Sequence, residues 1–209
     1  LRQFRDKCRV IPFGIDLNRF RLNAERGGKV AEIRRSYGDP IVLFIGRFRY
    51  YKGLYFLLEA MNGVKGTLLL IGIGPMEREL KERVAMEYGL RKKVFFLGEL
   101  SYEDVVNPLS ACYVFVLPSM FRSEAFGIVL VEAMACGKPV VATDTTSIPE
   151  VVDSGITGIL CPTDDVDAFV AACQKLAADR DLCERMGGAG RKRALEVFSE
   201  EVIVSQYID

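Results

Sequence analysis

The 209-residue chain contains no histidine. That absence removes Ser–His and Cys–His nucleophilic machinery, and it leaves cysteine without the partner of a mixed metal site. Six cysteines are present, Cys8, Cys112, Cys136, Cys161, Cys173 and Cys183, yet no two form a close Cys-x-x-Cys pair. Reduced, mostly buried thiols in a cytoplasmic protein are expected. No apolar run is long enough to cross a bilayer. Net charge is missing too: 28 Lys and Arg balance 28 Asp and Glu, so nothing in the balance points to a general nucleic-acid binder. Internal repeats and low-complexity tracts are also absent. Whatever chemistry occurs here must use carboxylates, cations and backbone groups.

Half the residues are hydrophobic, enough for a sizeable core in a chain of this length. They gather in short continuous runs that stop at Gly, Pro or Ser: "IVLFIGR" (41–47), "TLLLIGIG" (67–74), "VFFLGEL" (94–100), "YVFVLPS" (113–119), "PVVATD" (139–144) and "GILCP" (158–162). Such runs read as buried strands. Between them lie stretches of helical period, and strand alternating with helix predicts an α/β fold, a Rossmann-like doubly wound parallel sheet of about six strands. After "GILCP" the pattern turns mostly helical, with an expected Gly-rich break at "GGAG" (187–190). The chain opens without an initiator Met or signal peptide and ends as though cut within a helix, so a fragment of something longer is expected.

Charge is placed unevenly. Residues 1–53 hold 13 Lys and Arg against 5 Asp and Glu, and the remainder holds 15 against 23. A basic end is either a solvated face or an attraction to phosphate or to an anionic membrane surface.

Ligands of open parallel sheets sit at the carboxyl ends of the strands, so the residues after each strand are the candidates. The first strand ends in "GRFRYYKG", which places Arg47, Arg49 and Lys52 beside a helix start, where free N–H groups already favour an anion. The fourth ends in "LPSMFRSE", with a helix beginning near Phe126 or Gly127 and stopping at Gly137. Glu124 then lies in the loop and Glu132 inside the helix, ~12 Å and ~80° apart on ideal geometry, so both can reach one elongated ligand. Carboxylates next to an anion site are productive when aimed at hydroxyls. A ligand with hydroxyls on both sides of a diphosphate is a nucleotide sugar. "GIGPME" (72–77) begins like a dinucleotide fingerprint but has Glu77 at the third glycine position; it reads as a tight turn near the ligand, with Gly74 in it. "DVD" (165–167) reads as helix-capping acids, not as a metal pair.

Taken together, "EAFGIVLVEAMACGKPVVAT", "GRFRYYKG", "IGIGP" and "VFFLGEL", in that family's order, resemble the retaining glycosyltransferases of family 4, also called group 1, which have the two-Rossmann-domain GT-B fold. The likeness covers about residues 8–200 and is to the C-terminal, donor-binding domain, with 1–20 similar to the interdomain linker and 21–209 to the nucleotide-sugar-binding domain. The resemblance implies that Arg47 and Lys52 bind the donor diphosphate and stabilise the leaving group. Glu124 would contact donor-sugar hydroxyls and Glu132 the ribose. The backbone of Phe126, Gly127, Ile128 and Val129 would face the sugar and phosphates, and Phe95 would line the base pocket. It implies no metal or other cofactor, a UDP-, GDP- or ADP-linked donor, and a sugar or lipid-linked acceptor. The partner N-terminal Rossmann domain, absent upstream, would carry the acceptor site, so the isolated chain would transfer nothing. Peripheral association of the full protein with the inner face of the cytoplasmic membrane is a further expectation. A non-catalytic nucleotide-sugar-binding module and a GT-B-like epimerase are the alternatives.

Overall fold

The computed structural model describes residues 11–20, 24–121, 123–145 and 147–208. Cys8 and the first ten residues of the linker-like segment lie outside them. The six apolar runs form six strands, β1 (Ile41–Ile45), β2 (Thr67–Ile71), β3 (Val94–Gly98), β4 (Val114–Leu117), β5 (Val140–Thr143) and β6 (Gly158–Cys161). All neighbours pair in parallel, in the order β3-β2-β1-β4-β5-β6. The direction of winding reverses between β1 and β4, so their carboxyl ends open a crevice with no crossover helix in it. Every residue of β4 and β5 is buried. That burial explains why these strands read as continuous apolar runs without alternation.

Helices α1 (Ala24–Tyr37), α5 (Val106–Ala111) and α6 (Ile128–Ala135) cover one face, and α2 (Leu54–Gly63), α3 (Glu77–Met86) and α8 (Val166–Ala178) the other. The stretch of helical period between β2 and β3 is divided into α3 and the short α4 (Tyr88–Arg91), the chain turning extended at Glu87. A short α7 (Ile148–Val151) precedes β6, and α9 (Arg180–Val197) and α10 (Glu200–Ile208) complete the chain. Asp165 caps α8, its Oδ1 accepting from the Ala168 N–H at 2.8 Å, as the capping reading of "DVD" requires. Residues 11–20 are docked on the domain: the Ile15 N–H donates to the Phe198 carbonyl at 2.9 Å, the Glu200 N–H donates to the Ile15 carbonyl at 3.1 Å, and Phe20 is buried.

The expected break at 187–190 does not occur. Helix α9 runs through it because the glycines serve packing: a Cβ on Gly187 would lie 2.0 Å from the Gly137 carbonyl oxygen, and one on Gly190 would lie 3.1 Å from Met134 Cγ on α6. Cys112, Cys136, Cys161, Cys173 and Cys183 are unpaired thiols. Burial pushes Cys112 up to about 11 and Cys136 to about 12, so these are core-filling groups and not nucleophiles. Among the described residues no helix is long and apolar enough to cross a membrane.

The two neighbouring glycines of α9 make opposite predictions. Gly187→Ala should destabilise the chain by about 2 kcal/mol or more through the clash with the Gly137 backbone. Gly188→Ala, with nothing within 4 Å of its Cβ, should stabilise it by up to about 1 kcal/mol through helix propensity. Urea denaturation of both variants checks the pair of signs.

Candidate active site

The crevice is made by two loops. After β1 the chain continues through a 3-10 turn, Tyr50–Lys52, and ends it at Gly53, which has φ 67°. After β4 the loop 118–127 leads to Gly127, φ 74°, at the N-terminus of α6. The loops are tied: the Met120 N–H donates to the Tyr51 carbonyl at 2.8 Å, and a Cβ on Gly53 would lie 2.0 Å from the Pro118 carbonyl oxygen. Only glycine allows both that conformation and that approach.

The consequence is a contact between residues 72 positions apart: Lys52 Nζ lies 2.5 Å from Glu124 Oε2, with both side chains about nine-tenths buried. Ser119 Oγ donates to the same carboxylate oxygen at 2.9 Å. A buried ion pair adds little to stability against an apolar pair of the same shape, because desolvation of both charges offsets their attraction. Its place at the switch point of the sheet therefore speaks for chemistry.

Glu132 stands apart from this pair. It is the charged member of α6, whose residues from Val129 to Ala135 are buried, and it is itself 8% exposed. Together with Ile45, Gly46, Arg47, Gly72, Glu99 and Tyr102 it lines a cleft of about 580 Å³. The Tyr102 hydroxyl donates to Glu132 Oε1 at 3.3 Å. Burial holds the Glu132 carboxyl above its usual range, and the Tyr102 hydrogen bond partly offsets this. A half-satisfied carboxylate in an apolar helix favours a ligand that brings hydroxyl donors.

The structure distributes the sequence-predicted residues as follows. Arg47 is exposed on the cleft wall. Lys52 and Glu124 come together, with Glu132 on the cleft. Gly127 supplies no side-chain cap to α6, so the N–H groups of Ile128 and Val129 open the helix without one. The Phe126 ring packs edge-on between Phe13 and Phe198, at 5.5 and 5.8 Å between centroids, leaving its backbone as the part available to a ligand. Gly74 is a close-approach glycine, since its Cβ would lie 2.5 Å from the Phe48 carbonyl oxygen, and it contributes no wall to the cleft. Phe95, expected at the base pocket, is not among the residues that line this cleft. It sits inside β3, in register with Leu69, and its ring meets Tyr37 of α1 edge-on at 5.1 Å. The cleft wall at that end is built instead by Glu99, Leu100 and Tyr102.

Tyr102 and Ser119 are the additions the sequence did not single out. Both follow strands, the position where the doubly wound fold places its ligand contacts, and that rule was the available signal for them. A second cleft, of about 130 Å³, lies at the opposite end of the sheet beside Arg34, Lys138 and Arg180. Its two arginines are engaged with the chain, Arg34 donating to the Ala111 carbonyl and Arg180 pairing with Glu184. Among the described residues no three His, Cys, Asp or Glu side chains gather as a metal site.

Because the Tyr102 hydrogen bond lowers the Glu132 titration point, Tyr102→Phe should move that point further up. A carboxyl-detected NMR titration reads this directly, and an unmoved midpoint would mean that the hydrogen bond is not made in solution.

Comparison with known proteins fits this geometry. The fold superposes on sucrose-phosphate synthase from Thermosynechococcus elongatus with a TM-score of 0.86 and 35% identity, over 99% of this chain and 53% of that one. Anabaena HepE, solved in complex with UDP and glucose, superposes equally well at 25% identity, over 96% of this chain and 55% of that one. The C-terminal domain of a glycosyl transferase group 1 family protein from Francisella tularensis shares the fold at a TM-score of 0.74 and 23% identity, over 93% of this chain and 98% of that one. In sequence the chain is 34% identical to O-antigen chain mannosyltransferase C of Escherichia coli over 210 residues, all of this chain and 55% of the relative. It is 37% identical to D-rhamnosyltransferase WbpZ of Pseudomonas aeruginosa over 200 residues, 95% of this chain and 51% of the relative. The chain thus spans about half the length of the curated relatives it matches. With residues 29–193 matching the glycosyl transferases group 1 family, the chain belongs to that family, as one Rossmann-like half of a GT-B fold.

Proposed function

We propose that the chain is the donor-binding half of a retaining glycosyltransferase, which moves a sugar from a nucleoside diphosphate to an acceptor hydroxyl. The carrying observation is the arrangement at the switch point: cations at Arg47 and Lys52, with one buried carboxylate tied to Lys52 and a second, Glu132, on the cleft wall. In this reading Glu132 accepts from the ribose hydroxyls. The diphosphate lies against Arg47, Lys52 and the open N–H groups of α6, and Glu124 accepts from a hydroxyl of the transferred sugar. Solved complexes of the Anabaena neighbour with UDP and with UDP-glucose support a nucleotide sugar as the ligand class.

The chemistry follows from those positions. The bond between the anomeric carbon and the phosphate oxygen breaks, and its electron pair goes to the diphosphate, whose growing charge Arg47 and Lys52 stabilise. The acceptor oxygen bonds the anomeric carbon on the same face, and its proton passes to the departing phosphate. Cations and a helix terminus carry out the charge stabilisation, so the reaction is proposed to run without a metal. The other Rossmann domain of the whole protein supplies the acceptor site, and this half alone binds the donor and transfers nothing. Unpaired thiols support a reducing, cytoplasmic setting.

Calorimetric titration of the chain in EDTA with UDP, GDP, ADP and their sugar conjugates tests the reading. One nucleoside diphosphate should bind selectively, and Arg47→Ala should weaken it. Loss of a hydrogen bond to a charged group costs about 1.5–3 kcal/mol, so Glu132→Ala should weaken the bare diphosphate roughly tenfold or more. Glu124→Gln should spare the bare diphosphate and weaken only the sugar conjugate. Equal losses for both ligands in both variants would contradict this division of roles, and an anomerically inverted product from the full-length protein would contradict retention.

A further inference from the structure

The donor-pocket reading gives Glu124 one task, to accept from a sugar hydroxyl, but a carboxylate has two oxygens and a broad terminal torsion that exchanges them. Here the two are unequal. Lys52 Nζ and Ser119 Oγ both meet Oε2, at 2.5 and 2.9 Å, while Oε1 accepts no hydrogen bond from any described residue. Lysine alone would not maintain that difference, because an ammonium on a flexible stem follows a carboxylate as it turns. The serine hydroxyl has no such freedom. Ser119 is fully buried two residues past the end of β4, and its carbonyl oxygen accepts from Thr143 Oγ1 at 2.5 Å. Thr143 is the last residue of β5 and is also fully buried. A line of buried hydroxyl contacts therefore runs from the sheet to one oxygen of Glu124, and neither Ser119 nor Thr143 lines the cleft.

We propose that Ser119, held in place by Thr143, is a positioning residue that reserves Oε1 of Glu124 for the donor sugar. Its hydroxyl and the Lys52 ammonium together fix the negative charge at Oε2, next to a cation. Oε1 is left as a single acceptor of defined direction, and the diphosphate meets a carboxylate whose charge is largely compensated. The inference rests on the donor-pocket reading, and it differs from that reading in what it asks of two fully buried residues behind Glu124.

The test compares Ser119→Ala, Thr143→Val and Thr143→Ser with the unchanged chain, titrating each with the preferred nucleoside diphosphate and with its sugar conjugate. The readout is the ratio of the two affinities, which a general loss of stability leaves unmoved. Ser119→Ala and Thr143→Val should lower the preference for the conjugate about five- to tenfold, less than full loss of a hydrogen bond to a charged group because the bond is misdirected and not removed. The bare diphosphate should stay within about twofold, and Thr143→Ser, which keeps the hydroxyl, should retain the preference. An unchanged ratio, or equal weakening of both ligands, would overturn the proposal. If the unchanged chain shows no preference for any conjugate, the donor-pocket reading itself fails. Crystals of the free Ser119→Ala chain then decide the positioning role on their own: a turned or doubled Glu124 carboxylate upholds it, and an unmoved one overturns it.

Discussion

The structure turns on a lysine and a glutamate that face each other across two loops, out of water. Lys52 and Glu124 meet because β1 and β4 are neighbours, because both strands end at the same edge of the sheet, and because Gly53 lets one loop touch the backbone of the other. Each condition is a property of the doubly wound order and not of either residue. Desolvating two charges brings little net stability. The rest of the domain supplies that stability elsewhere, through fully buried central strands and helices on both faces. A large core can carry such a pair, and in the proposed function a ligand with its own anion and its own hydroxyls replaces what each partner gives the other.

Helix α6 shows the same tension on a smaller scale. An eight-residue helix buried along nearly its whole length would be more stable with an apolar residue in place of Glu132. A carboxylate there, above its usual titration range and bonded among the described residues to Tyr102, leaves a site that, in the proposed function, a vicinal diol completes. At the N-terminus of the same helix, Gly127 offers no side-chain cap. In the proposed function, one short helix thus presents an open end to the diphosphate and a buried carboxylate to hydroxyls.

Most of this architecture was legible in the chain. Continuous apolar runs ending at Gly, Pro or Ser located all six strands, because a strand buried on both faces has no polar side to obscure its limits. The Glu-x7-Glu spacing placed one carboxylate before α6 and the other within it. What escaped was set by tertiary contact. Helix α1 carries Gly27 and Gly28 and few apolar residues in its 14-residue sequence, so neither periodicity nor propensity announced it. The glycines of α9 read as a break, whereas they are where that helix meets the backbone at Gly137. Phe95 was singled out by the family resemblance alone; its ring meets Tyr37 of α1, and the cleft described here is walled at that end by residues beyond the strand. Sequence spacing gave no sign that Lys52 and Ser119 share one oxygen of Glu124, since such a contact exists only once the sheet order is known.

The central claim is that the ligand enters at the crevice between β1 and β4. Amide chemical-shift mapping of the isotopically labelled chain with an added nucleoside diphosphate tests it most directly. The account predicts that the largest shifts fall in residues 46–53, 99–102 and 118–132. Shifts gathered instead around Arg34, Lys138 and Arg180 at the opposite end of the sheet would contradict it.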